Sequence, residues 1–335
     1  IRWPEPSQVL KTCEGCSSHT SKIILSWHYQ STAMKKLLLL FILFASPFAN
    51  AQRAESLSKL ESDIDSIFDT TQGDFALAFT DLSTGEEILI NATEEFHAAS
   101  TMKTPVMIEL FKKVEEGKFN LQDSVIVRNE FKSIVSGKPF SLDINRDSGD
   151  NLYEKIGEKV SLQDLMIDMI IHSSNLATNL LIELVDAREV TETMRMLGAK
   201  DIMVLRGVED IEAYDAGLSN TTTAYDLMLI FDKIARGEAV SETADARMIQ
   251  ILLAQEHNDM IPALLPEDVK VAHKTGSITG VRHDSGIVLL PNGKKYVLVL
   301  LSKNMEEPEK GVAMMAEVSR MIYDFITDFP DPERK

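Results

Sequence analysis

Cysteine is nearly absent. The 335 residues hold two, Cys13 and Cys16, both close to the start. A lone C-x-x-C lacks the second pair that a metal or redox site needs. From Gln52 onward the chain can hold no disulfide, no thiol nucleophile and no lipid-modified cysteine. Positive charge is scarce as well. Against 34 Lys and Arg stand 52 Asp and Glu. Residues 1–51 hold five of the former and two of the latter, so the remainder carries a net charge of about −21. With no basic run and no interleaving of aromatic and basic residues, nucleic acid is not an expected partner. Internal repeats and low-complexity tracts are missing too. His172, His273 and His283 lie on or near the motifs described below but show no zinc-ligand spacing such as H-x-x-x-H, so neither metal nor cofactor is expected.

No apolar run is long enough to span a bilayer as a mature anchor. The apolar run from Leu37 to Phe44 follows Lys35 and Lys36 and ends in the small residues Ala49 and Ala51. That pattern reads residues 34–51 as a secretory signal peptide with cleavage expected between Ala51 and Gln52. Residues 1–33 differ in composition and read as upstream sequence translated in error. The mature chain is then expected to be secreted or periplasmic, with no membrane anchor after cleavage, and monomeric.

Hydrophobic residues make up 44% of the chain, enough for a sizeable core. Residues 75–91 alternate like two short strands around Ser83, Thr84 and Gly85. A second hairpin is expected at 285–303, turning at Pro291-Asn292-Gly293, with nearly continuous apolar strands that should be covered on both faces. Residues 312–329 read as a closing amphipathic helix. Between the hairpins the period is helical: 101–117 ends in Gly117, Ser161 with Asp164 opens another helix, and 176–185 and 221–237 add two more. The polar stretch 133–151 is the longest loop-like segment. Strands, then helices, then strands imply an α/β (α+β) chain, with one antiparallel sheet formed by both ends, flanked by helices and interrupted by a helical domain. The expected boundaries are 52–97 with 245–335 for the sheet domain and 98–244 for the helical one.

Three motifs carry chemistry. Ser100 and Lys103 begin a predicted helix, three apart and so on one face, with a hydroxyl nucleophile beside an amine that can take its proton. Ser56 and Lys59 repeat the spacing in a region without other signals, so the pattern alone is weak. Ser173 and Asn175 sit in a break between two helices, where an ordinary polar turn would look the same. Lys274, Thr275 and Gly276 follow an apolar segment and read as a strand presenting a cation.

Together and in this order, Ser-x-x-Lys, Ser-x-Asn and Lys-Thr-Gly resemble the penicillin-recognising serine enzymes, particularly class A beta-lactamases. The resemblance extends from about residue 58 to the C-terminal helix. It implies a three-layer sandwich beside an all-helical domain, the beta-lactamase/transpeptidase-like fold, with the site in the crevice between them. By resemblance, Ser100 is the acylated nucleophile, Lys103 its proton partner, and Ser173 a relay to the leaving nitrogen. Asn175 binds the substrate's side-chain amide, Lys274 and Thr275 its carboxylate, and the backbone amides of Ser100 and Ser277, beyond Gly276, form the oxyanion hole. Arg282 stands where a family arginine often assists carboxylate binding; a surface arginine at a strand end is the plain alternative. Ser174 replaces the usual middle Asp of Ser-Asp-Asn.

The family also uses a loop Glu to activate the deacylating water. Glu209, 36 residues beyond Ser173, is the candidate, with Asp210 and Glu212 as rivals. Two residues rather than one separate it from Arg206, Ala213 replaces an Asn that helps hold the water, and Asn220 replaces an Asp that pins the loop through an ion pair. The resemblance implies a serine beta-lactamase acting on small beta-lactams. A serine D-Ala-D-Ala peptidase or esterase, or a non-hydrolysing penicillin-binding module, are the alternatives on the same scaffold.

Overall fold

The computed structural model describes residues 51–329. The expected upstream segment, 1–33, and all but the last residue of the expected signal peptide, 34–51, lie outside the described residues. The chain divides into two units, residues 1–55 with Lys335, and Ser56–Arg334. Of the first only 51–55 are described, as helix. The second contains the sheet, the helices around it and the site.

Five antiparallel strands form one sheet: β1 (Asp74–Asp81), β2 (Glu87–Ile90), β9 (Lys270–Ile278), β10 (Val281–Leu289) and β11 (Lys295–Lys303), in the order β2-β1-β11-β10-β9. Both expected hairpins are present, and β1 joins β11 along its whole length, Asp74 opposite Lys303 and Asp81 opposite Tyr296. The period of two sorts the side chains. Phe75, Leu77 and Phe79 of β1 face one core with Leu298 and Leu300 of β11, while Ala76 and Ala78 face another with Val297 and Val299.

Helix α1 (residues 56–70) and helix α9 (Pro308–Asp328) cover the first face through Leu60, Ile64 and Phe68 and through Val318, Ile322 and Ile326. Helix α7 (Ala224–Arg236) covers the second with Leu227, Ile230 and Phe231, its close approach allowed by the small alanines of β1. Each fully buried Leu, Ile or Phe is worth roughly 1.5–3 kcal/mol relative to exposure. These three layers confirm the expected sandwich.

The remaining helices gather around α2 (Lys103–Glu115), every residue of which from Lys103 to Phe111 is buried. A helix buried all round is a core element, and here its first turn carries a lysine. Around it lie α3 (Leu162–Ile171), α4 (Asn175–Val185), α5 (Ala187–Leu197) and α8 (Glu242–Leu252). Local capping is as expected at Ser161, which accepts from Asp164 N at 3.1 Å; Thr223 likewise accepts from Asp226 N at 3.1 Å at the start of α7. Short strand pairs complete the unit, β3 (Phe96–His97) with β8 (Thr221–Thr222), β4 (Ser124–Ile126) with β7 (Lys159–Ser161), and β5 (Phe131–Lys132) with β6 (Pro139–Phe140). Among the described residues, no helix is long and apolar enough to cross a membrane.

Candidate active site

Ser100 lies in a short 3-10 helix, Ala99–Met102, that runs directly into α2. Ala99 adopts φ +45°, a left-handed conformation costly for a residue with a Cβ. The turn is held from both sides: Ala98 N donates to Asn220 O at 2.8 Å, and Ala99 N to His97 Nδ1 at 3.0 Å. Strand β9 passes close by. A Cβ on Gly276 would stand 3.2 Å from each of Ala99 Cβ, Ser100 N and Thr101 Cγ2. Glycine thus lets the Lys-Thr-Gly backbone approach the Ser100 amide, with exposed Ser277 next along the strand.

Lys103 is fully buried. Its Nζ donates to Ser173 O at 2.7 Å, Ser173 Oγ at 3.2 Å and Asn175 Oδ1 at 3.1 Å. Burial lowers its pKa from the ordinary 10.5 to about 7, against the opposing pull of the Asp147 and Glu209 charges. A neutral amine is therefore accessible near neutral pH. Lys274, equally buried, donates to Ser173 Oγ at 3.1 Å and to Thr275 O at 2.9 Å. Burial and the neighbouring Lys103 charge push its pKa far down. The Ser173 hydroxyl thus sits between two amines, on a residue held at φ +58°.

Asn175 opens α4 and bridges further: its Nδ2 donates to Glu209 Oε1 at 3.2 Å. Glu209 Oε2 accepts from Asp143 N at 3.3 Å. Ser100, Asn175, Glu209 and Ser277 line one cavity of about 510 Å³. Ser100, Ser173, Thr275 and Arg282 border an adjoining one of about 260 Å³. Arg282 Nη1 donates to Ile278 O at 3.0 Å and Val281 O at 2.8 Å, so the guanidinium is tied to its own hairpin. All ten residues singled out from the sequence are gathered around these two cavities or the hydrogen-bonded cluster between them.

The rival carboxylates have other partners, although Asp210 also borders the Ser100 cavity. Asp210 is buried, caps α6 (Ile211–Asp215) by accepting from Ala213 N at 3.1 Å, and accepts from Ile134 N at 2.8 Å. Glu212 accepts from Ser136 Oγ and from Lys138 Nζ at 3.4 Å, in the β5–β6 hairpin. Asn220 replaces an ion pair by amide chemistry: Oδ1 accepts from Leu205 N at 2.8 Å and Arg206 N at 3.2 Å, and Nδ2 donates to Arg206 O at 3.0 Å. Asn179 of α4 adds a second clamp, accepting from Val208 N at 2.6 Å and donating to Val208 O at 3.0 Å. Neither Asn179 nor Asp147 stands out in the sequence; their partners are far along the chain.

Histidines near the motifs have structural partners. His273 Nδ1 lies 2.8 Å from Asp284 Oδ1, and His172 Nδ1 lies 3.2 Å from Glu256 Oε2. His283 Nε2 donates to His97 O at 2.9 Å, and Ser302 N donates to His283 Nδ1 at 3.2 Å. Among the described residues, no three His, Cys, Asp or Glu side chains are grouped to hold a metal ion.

The beta-lactamase enzyme family model matches residues 59–326. The extended-spectrum beta-lactamase PER-1 of Pseudomonas aeruginosa is 27% identical over 250 residues, 72% of this chain and 78% of its own. A beta-lactamase of Bacteroides uniformis is 25% identical over 87% of this chain and 99% of its own. Among solved structures, a beta-lactamase from Sphaerobacter thermophilus superimposes with a TM-score of 0.70 at 26% identity, covering 80% of this chain and 98% of that one. PBP-A does so with 0.70 at 27%, covering 81% and 97%. The fold, the three motifs in one cavity wall and the match along most of the sequence agree, and the chain belongs to the beta-lactamase enzyme family of class A-like serine hydrolases.

Proposed function

We propose that this protein is a class A-type serine beta-lactamase that hydrolyses beta-lactams through an acyl-enzyme on Ser100. The observation that carries the reading is the unbroken chain of hydrogen bonds Lys274–Ser173–Lys103–Asn175–Glu209, which ends in Asn175 and Glu209 at the wall of the Ser100 cavity. Neutral Lys103 takes the Ser100 proton as Oγ adds to the lactam carbonyl. The backbone amides of Ser100 and Ser277 stabilise the oxyanion. As the carbon–nitrogen bond breaks, Ser173 passes a proton to the ring nitrogen and is reprotonated through the flanking amines. Lys274, Thr275 and Arg282 hold the substrate carboxylate, Gly276 gives room beside the nucleophile, and Asn175 takes the side-chain amide. Glu209 then accepts a proton from water as the water oxygen adds to the ester carbonyl, and that proton returns to Ser100 Oγ as the carbon–oxygen bond breaks.

The division into 52–97 with 245–335 and 98–244 belongs to the same proposal, as do a secreted or periplasmic location after removal of 34–51 and a monomeric state. A second reading, a penicillin-binding protein that acylates without turnover, is favoured by one feature. Ala213 is fully buried and offers no side-chain polar atom to the deacylating water. The likeness to PBP-A points the same way; one variant of that protein is known as its acyl-enzyme with penicillin G. Chromogenic cephalosporin turnover, followed with intact-protein mass spectrometry, separates the readings. Continuous turnover supports the lactamase, and a persistent adduct on Ser100 supports the binding protein. Ester turnover without a lactam adduct would favour a peptidase or esterase.

A further inference from the structure

Ser174 stands in the middle of the Ser173-Ser174-Asn175 segment, and its hydroxyl is spent within α4, accepting from Ala177 N at 3.2 Å. A carboxylate reaches the same segment from elsewhere. Asp147, 28 residues before Asn175, accepts from Asn175 N at 2.8 Å and Gly149 N at 3.0 Å through Oδ1. Through Oδ2 it accepts from Leu176 N at 2.9 Å and the Tyr153 hydroxyl at 3.0 Å. Four donors fill the acceptor positions of an ionised carboxylate, and such charge-assisted bonds are about twice as strong as neutral ones. The loop is seated tightly: a Cβ on Gly149 would lie 2.6 Å from Ser174 Cβ. Its Asp143 meanwhile donates N–H to Glu209.

We propose that Asp147 is a positioning residue for acylation: by gripping the first two backbone amides of α4 from a separate loop, it fixes Asn175 and, through that side chain, Lys103 and Glu209. The inference rests on the reading of Ser100 as nucleophile.

Two effects follow from this geometry. Mechanically, Asn175 bridges Lys103 and Glu209, so a shift of its backbone disturbs both. Electrostatically, Lys103 is faced by Asp147 from this loop, Glu209 from the 206–217 loop and Lys274 from β9 across Ser173. The two carboxylates raise the proton affinity that burial lowers. Removing the charge of Asp147 therefore leaves Lys103 neutral down to a lower pH.

The test compares the parent with Asp147→Asn. Side-chain carbon NMR of lysine-labelled protein follows the Lys103 titration, and quenched-flow mass spectrometry follows acylation by benzylpenicillin against pH. Asp147→Asn should move the Lys103 titration and the acid limb of acylation to lower pH together, and should slow acylation at the optimum by roughly tenfold through the lost charge-assisted bonds. An unmoved titration and acid limb, with or without a uniform loss of rate, would overturn the proposal and leave Asp147 as a structural cap. If the parent itself is not acylated, the reading of Ser100 fails, and the NMR titration still decides the role of Asp147. Should Asp147→Asn fail to fold, the smaller Asp147→Ser carries the same two measurements.

Discussion

Asn220 is the sharpest test of how the Glu209 loop is held, because the family's usual residue at this place differs by one atom. Asn220 is buried and makes three hydrogen bonds to the backbone of Leu205 and Arg206. At about 1 kcal/mol each, Asn220→Ala should cost roughly 3 kcal/mol, because it leaves two N–H groups and a carbonyl buried without partners. For a unit of this size that lowers Tm by about 6 °C. Asn220→Asp keeps an acceptor for the two amides but sets a carboxylate oxygen where Nδ2 now donates to Arg206 O at 3.0 Å. It should cost about 1–2 kcal/mol, less than alanine. Urea unfolding followed by circular dichroism measures both, and the slope m should stay constant while the midpoint falls. Both variants should also slow deacylation more than acylation, because the side chain holds the Glu209 loop through Leu205 and Arg206, while the backbone bond from Ala98 N to Asn220 O that supports the Ser100 turn is kept. An Asn220→Asp protein as stable as the parent, with unchanged turnover, would refute this account of the loop.

Two further outcomes are expected. Gly276→Ala places a methyl 3.2 Å from three atoms of the Ser100 turn; overpacking of this kind costs about 1–3 kcal/mol, and kcat/KM should fall as β9 withdraws from the Ser100 amide. Unchanged kinetics would mean that the contact relaxes without affecting the oxyanion site. Burial lowers the His283 pKa from 6.5 to about 4. The unfolded chain therefore binds more protons between these values, so this stability is fully present above pH 6.5 and lost as pH falls toward 4. The contribution is about 3 kcal/mol, and His283→Asn should flatten the dependence of urea midpoint on pH in that window. An identical acid slope in the variant would assign the loss to other groups.

The parts of the fold legible in the sequence are those encoded locally. The alternation of β1, the Asn-Gly turn before β11 and the cap at Ser161 depend on neighbours a few residues apart. The α5 helix is not among the helices expected from the sequence, although Val190 and Met194 stand four apart on its buried side. The three motifs are legible because each is short and their order is informative. Asp147 is not, since its polar, aperiodic surroundings read as loop and its partners begin 28 residues away. The choice among Glu209, Asp210 and Glu212 likewise needs coordinates: Glu209 and Asp210 both border the cavity, but the Asp210 carboxylate is spent on Ala213 N and Ile134 N, and Glu212 reaches the β5–β6 hairpin. The replacement of an ion pair by Asn220 reads in sequence as a loss. In three dimensions the amide both donates and accepts, which a carboxylate cannot do.

The most direct test of the central claim is the fate of the acyl-enzyme in Glu209→Gln. Rapid mixing with benzylpenicillin, quenching and intact-protein mass spectrometry would follow a penicilloyl adduct over time, with Ser100→Ala as the control that forms none. If Glu209 activates the deacylating water, the parent shows a transient adduct and turns over, while Glu209→Gln accumulates a full equivalent on Ser100 that decays at least about a hundredfold more slowly. A Glu209→Gln protein that clears the adduct at the parental rate would contradict the assignment.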